Sequence, residues 1–192
     1  MRSLRYGLAS LAFLACPAWS GAQTQHMRNP ETGVHSWEFK GQGVRLKLTQ
    51  ITPGMARGFY LARGFTEAAA NAYARGCIFQ TEFQNESLPA AIRFALADWR
   101  VVTPRGERPL TLEPDWQRQW AKLGVSAAAR SAFRWAQYPA EHSYERGDWN
   151  MGMTSYGLPP GSRFDLRFTW TGEDGVHRAL VRDLRCADDV KQ

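Results

Sequence analysis

The chain has 192 residues, 24 basic and 18 acidic side chains and a formal net charge of +6. That length suits one domain with a proper core, and so mild a charge excludes a nucleic-acid-binding protein of the strongly basic kind. Arginines far outnumber lysines, a bias that suits phosphate recognition, but they stand singly among acids and read as a solvated surface.

Residues 1–22 place Arg2 and Arg5 ahead of an apolar run, 8–15, followed by Pro17 and the small tripeptide Ser20-Gly21-Ala22. This is the order of a cleavable secretory signal peptide. The apolar run is too short to cross a bilayer, so no membrane span is expected once the signal is removed. The alternative within export is a lipoprotein anchored at Cys16, which Phe13 and Pro17 fit poorly. The working protein is therefore expected in the periplasm or secreted, starting at Gln23, with a net charge of +4 once Arg2 and Arg5 are lost. Cys16 leaves as well. The two remaining cysteines, Cys77 and Cys186, are then expected to form a disulfide in an oxidising compartment.

Residues 23–33 are polar, contain Pro30 and lack periodicity, so they read as a flexible arm, with 34–192 forming a single β-rich globular domain. A short strand is expected over 34–39. After the Gly41-Gln42-Gly43 turn, Val44, Leu46 and Leu48 alternate with Arg45, Lys47 and Thr49, the pattern of a strand with one buried face. Thr52-Pro53 opens a helix that stops near Gly64, and Thr66 opens another that stops at Gly76. Two helices so close fold back as a hairpin or bend sharply.

Phe79, Thr81 and Phe83 alternate with Gln80, Glu82 and Gln84 in the next strand. A turn over 85–89 leads to a longer strand, 92–102, and a second turn at 104–106. Two more helices follow, 114–123 and 127–137, the latter capped by Ser126. Near the end, Phe164, Leu166, Phe168 and Trp170 alternate with Arg163, Asp165, Arg167 and Thr169, and Glu173-Asp174-Gly175 turns the chain into a partner strand over 176–184. No internal repeat, heptad or low-complexity tract is evident.

Period-two patterning with solvated faces predicts antiparallel pairing, and the absence of strand-helix alternation argues against a doubly wound sheet. The expected fold is mainly β: an immunoglobulin-like antiparallel β-sandwich carrying two inserted helical hairpins, with a generic α+β domain as the fallback.

Residues 138–162 form a long stretch without clear periodicity. Such loops bind something or pack as a lid, so Tyr144, Trp149 and Tyr156 are the candidate contacts to a periplasmic protein partner or small ligand. Within the same stretch Met151 and Met153 lie two residues apart, on one side of an extended segment, and His142 is near. Thioethers with an imidazole select Cu(I), which makes a copper carrier or metallochaperone the alternative function, with copper as its metal. The competing reading is that the methionines fill gaps beneath aromatic rings.

His26 and Met27 read as part of the solvated arm, and His35 and His177 as sheet residues. Of the tryptophans, Trp116, Trp120 and Trp170 read as core and Trp149 as exposed. A small hydrolase is the second alternative, kept only because the absence of a known motif does not exclude an unfamiliar active site; Gly152-Met153-Thr154-Ser155-Tyr156-Gly157 is a near miss, with Met153 in place of the glycine a nucleophile elbow requires. The sequence thus points to an exported, non-enzymatic binding or accessory domain.

Overall fold

A computed structural model describes residues 22–188. The expected signal segment, apart from Ala22, lies outside the described residues, and so does Cys16.

Residues 22–188 fold as two antiparallel sheets and four α-helices. The first sheet is built from β1 (Gln23–Arg28), β2 (His35–Gly41), β3 (Val44–Ile51), β4 (Ile78–Asn85) and β9 (Trp149–Ser155), in the order β1-β2-β3-β4-β9. The second contains β5 (Ile92–Ala95), β6 (Arg100–Thr103), β7 (Gly106–Pro109), β8 (Glu141–Tyr144), β10 (Arg163–Gly172) and β11 (Gly175–Arg185). Between β3 and β4 lie α1 (Pro53–Leu61) and α2 (Glu67–Ala74), and between β7 and β8 lie α3 (Glu113–Lys122) and α4 (Ala127–Ala136).

Alternation builds both sheets. In β3 Val44, Leu46 and Leu48 are buried while Arg45, Lys47 and Thr49 are not, and in β10 Phe164, Leu166, Phe168 and Trp170 point inward. The inward faces make one core in which Phe39 meets Phe168 and Phe83 meets Phe94 edge to face. Each such ring contributes roughly 1.5–3 kcal/mol by leaving water. The sheets are therefore the two halves of a β-sandwich. At the β2–β3 turn, Gln42 and Gly43 both have positive φ, 51° and 74°, the backbone of a tight primed hairpin turn.

The strand expected over 92–102 is interrupted. Leu96–Asp98 forms a single 3-10 turn, so β5 and β6 lie end to end along one edge of β10, with Thr171 opposite Arg93 and Arg167 opposite Arg100. Trp99, fully buried beside this break, donates its indole N–H to the Thr169 carbonyl at 3.1 Å.

The region expected to be a flexible arm is not one along its whole length. Residues Gln23–Arg28 pair with β2 as a six-residue edge strand, exposed throughout. Here His26, directly across from Trp37, stacks on that ring at 4.7 Å between centroids, and its Nε2 lies 2.7 Å from Nδ1 of His35.

The two helical hairpins, far apart in sequence, share a second core: Tyr60, Phe65 and Tyr73 from one pack with Trp116, Trp120 and Phe133 from the other. Their positions correspond one to one at a constant interval. Tyr60 matches Trp120, Gly64 matches Gly124, Phe65 matches Val125, Ala69 matches Ala129 and Tyr73 matches Phe133. The caps of the second helix in each hairpin match too, since Thr66 accepts from the Ala69 N–H and Ser126 from the Ala129 N–H. The sequence hides this repeat because only the caps and buried positions correspond.

Cys77, just before β4, is bonded to Cys186, just after β11, with Cα atoms 5.1 Å apart. The expected disulfide therefore ties one sheet to the other. Among the described residues no helix is long and apolar enough to cross a membrane.

Candidate functional site

The stretch 138–162 is not a loop in its first half. It forms β8 in the second sheet, crosses the sandwich, and returns as β9 at the edge of the first. A tight turn makes the crossing. Gly147 has φ 87°, and the Asp148 carboxylate accepts the Glu145 N–H at 3.0 Å. Asn85, fully buried, pins the turn from β4: its N–H donates to the Asp148 carbonyl at 3.1 Å, its carbonyl accepts from Gly147 at 2.7 Å, and its side-chain amide donates to the carbonyls of Ala90 and Tyr144. Burial without partners would be costly for an amide. Asn85 instead has its side chain satisfied on both ends, since its Oδ1 also accepts the Leu88 N–H at 3.0 Å.

Two of the three expected contact residues belong to the core. Tyr144 is 0% exposed, stacks on Phe94 at 5.6 Å and shares a 2.7 Å hydrogen bond with the Tyr138 hydroxyl. Burial raises the pKa of both phenols, most strongly for Tyr138. Tyr156 is also 0% exposed, between Phe79 and Phe164, and its oxygen accepts from Thr154 at 3.2 Å. Its phenol is pushed up to about 12 by desolvation. Both rings are enclosed by the core. Their hydroxyls are satisfied by other hydroxyls inside.

Trp149 behaves as expected and is 50% exposed at the start of β9. The same outer face of β9 carries Met151, 54% exposed, and then Met153. Met153 turns away from solvent: its sulfur accepts the Tyr60 hydroxyl at 3.3 Å, and it packs against the helical core. Met151 accepts only a 3.4 Å contact from the Gln80 amide.

The expected copper ligands do not converge. His142 sits on β8 in the second sheet, opposite Phe94, with its ring edge against Tyr144 at 4.9 Å. Met151 and Met153 are on β9 in the first sheet, and Met153 is committed to Tyr60. Three residues close in sequence are separated because the chain changes sheets between them. Among the described residues no group of three or more His, Cys, Asp or Glu is gathered for a metal ion.

The elbow-like segment fares no better. Ser155 is buried and donates its hydroxyl to the Gly76 carbonyl at 3.3 Å, and His177, stacked on Trp170, hydrogen-bonds to Asp174 at the far hairpin.

A further exposed aromatic escaped the sequence reading. Trp135, near the end of α4, is 87% exposed. The buried face of α4 is Ala129 and Phe133, and Trp135 lies half a turn past Phe133, so helical spacing carried the signal. Directly after it, Gln137 and Tyr138 run alongside β9: Gln137 bridges Met153, and the Tyr138 N–H donates to the Met153 carbonyl at 2.9 Å. That approach is why residue 152 is glycine. A Cβ there would meet the Tyr138 nitrogen at 2.5 Å.

β9 is thus an edge strand covered over half its length. The Met153 carbonyl is taken by Tyr138 and the Ser155 carbonyl by Thr111. Outward-facing backbone groups alternate along a strand, so those of Met151 and Trp149 follow on the same edge, where no other described segment pairs. Open edge backbone beside exposed apolar side chains is what strand addition requires.

Compared with known proteins, the chain matches no family model, no curated protein and no solved structure.

Proposed function

We propose that the protein is an exported, non-enzymatic binding or accessory domain that takes up an extended segment of a protein partner along the open half of β9. The observation that carries this reading is the combination of Trp149 and Met151, each about half exposed, with the unpaired outer edge of the same strand. The added segment would hydrogen-bond to the backbone of Trp149 and Met151 and lay apolar side chains on their outer face, with Trp135 flanking the end where the edge is already closed. Main-chain bonds supply affinity in this mode and alternate side chains supply selectivity. Export rests on the signal-like leader, and the Cys77–Cys186 bond is compatible with a periplasmic or extracellular setting.

A random peptide library selected on the oxidised protein starting at Gln23 tests the reading. Extended peptides with alternating apolar residues should be enriched, and their affinity should fall about tenfold or more in a Trp149→Ser, Met151→Ser variant. No enrichment, or peptides indifferent to the double substitution, would contradict it.

A further inference from the structure

The outer face of the second sheet carries a hollow of about 640 Å3, a size typical of small-molecule sites. Four arginines line it, Arg93, Arg100, Arg167 and Arg178, against a single acid, Asp98. In sequence they are scattered. Strand register gathers them: Arg100 lies directly across from Arg167, Arg178 across from Thr169, and Arg93 across from Thr171. The strands β6, β10 and β11 therefore bring Arg100, Arg167 and Arg178 to neighbouring positions on one face, with Arg93 one step further along.

Like charges placed opposite each other across a ladder destabilise the sheet, so the Arg100–Arg167 pair works against folding unless negative charge offsets it. The protein supplies that charge for one of them. Arg167 makes a two-pronged ion pair with Glu107. Arg100 is held by its Nη1, which donates to the carbonyls of Ala97 at 2.5 Å and Trp99 at 2.8 Å, contacts that fix the side chain without neutralising it. Arg93 and Arg178 are exposed and have no counter-ion among the described residues. The hollow thus carries an excess of fixed positive charge, and the planar forks of arginine match phosphate and carboxylate oxygens two at a time.

We infer that this hollow is a binding site for a compact, multiply charged oxyanion of small-molecule size. The site lies on the opposite sheet from β9 and stands or falls separately from the partner reading above. Calorimetric titration of the oxidised protein at low salt, with inorganic pyrophosphate in one arm and citrate in the other, tests it. At least one anion is expected to bind at a single saturable site, and the arm that responds tells phosphate from carboxylate ligands. An Arg93→Gln, Arg178→Gln variant should keep its unfolding midpoint, because both side chains are exposed, yet bind about tenfold or more weakly. If neither anion saturates, or if the double variant binds as the parent does, the inference is overturned.

Discussion

The hydroxyl of Tyr60, in α1, donates to the sulfur of Met153, in β9, at 3.3 Å. This contact joins the helical unit to the strand whose other half is open. It also divides two methionines that look equivalent in sequence, one serving the fold and one facing solvent.

Replacing each methionine should separate those roles. Met153→Ala removes packing from the helical core and should cost about 1–3 kcal/mol, the lower part of the range for large-to-small core changes because the side chain is only partly buried. Met151→Ala should stay within about 0.5 kcal/mol, as surface changes do. Denaturant unfolding of the two variants measures the difference.

Gly152→Ala should destabilise the protein by roughly 1–3 kcal/mol. The added Cβ meets backbone atoms of Gln137 and Tyr138, not a flexible side-chain end, so neither neighbour yields without moving the α4 terminus off β9. Loss of stability together with faster exchange at the Tyr138 amide would mark that movement.

The Cys77–Cys186 bond closes a sequence separation of 109 residues. The chain-entropy treatment gives about 4–5 kcal/mol for such a loop as an upper figure, and removal of a native disulfide typically costs about 2–5 kcal/mol. A Cys77→Ser, Cys186→Ser variant should fall in that range in equilibrium unfolding.

Acid should weaken the β1–β2 corner. The pKa of His35 is lowered from 6.5, first by desolvation, then by His26 and by Arg28 and Arg185, with Asp188 opposing. The folded state therefore binds a proton at His35 less readily than the unfolded chain does. Its contribution is complete above pH 6.5 and declines as the pH falls from there through the depressed folded value. Unfolding midpoints measured between about pH 8 and about pH 5 should drop on the acid side, and His35→Gln should flatten that part of the profile.

Much of the fold was legible because its strands and helices obey simple periods. β3 and β10 alternate strictly, Thr52, Thr66 and Ser126 cap helices as expected, and the disulfide followed from cysteine count and compartment. β1 was missed because an edge strand exposed at every residue has no apolar face to reveal it.

β9 was missed for the opposite reason. Its inner positions are Asn150, Gly152 and Thr154, while its large apolar residues face out. The interior there is a hydroxyl network of Thr81, Thr154 and Tyr156 and a close backbone crossing at Gly152, so polarity is inverted and the segment reads as a loop. Sequence proximity then suggested a site that the change of sheet between His142 and Met151 takes apart. The arginines are the converse case, remote in sequence and joined only by register.

The most direct measurement is crosslinking from β9 in cells that export the protein. A photoreactive p-benzoylphenylalanine in place of Trp149 keeps an aromatic ring at the open edge, and the same residue in place of Arg118, exposed on α3, serves as the control. One discrete adduct from position 149, attached to a chain that begins at Gln23 and absent from position 118, is the predicted result. A chain that retains its leader in the cytoplasm, or no adduct from position 149 beyond that from position 118, would contradict it.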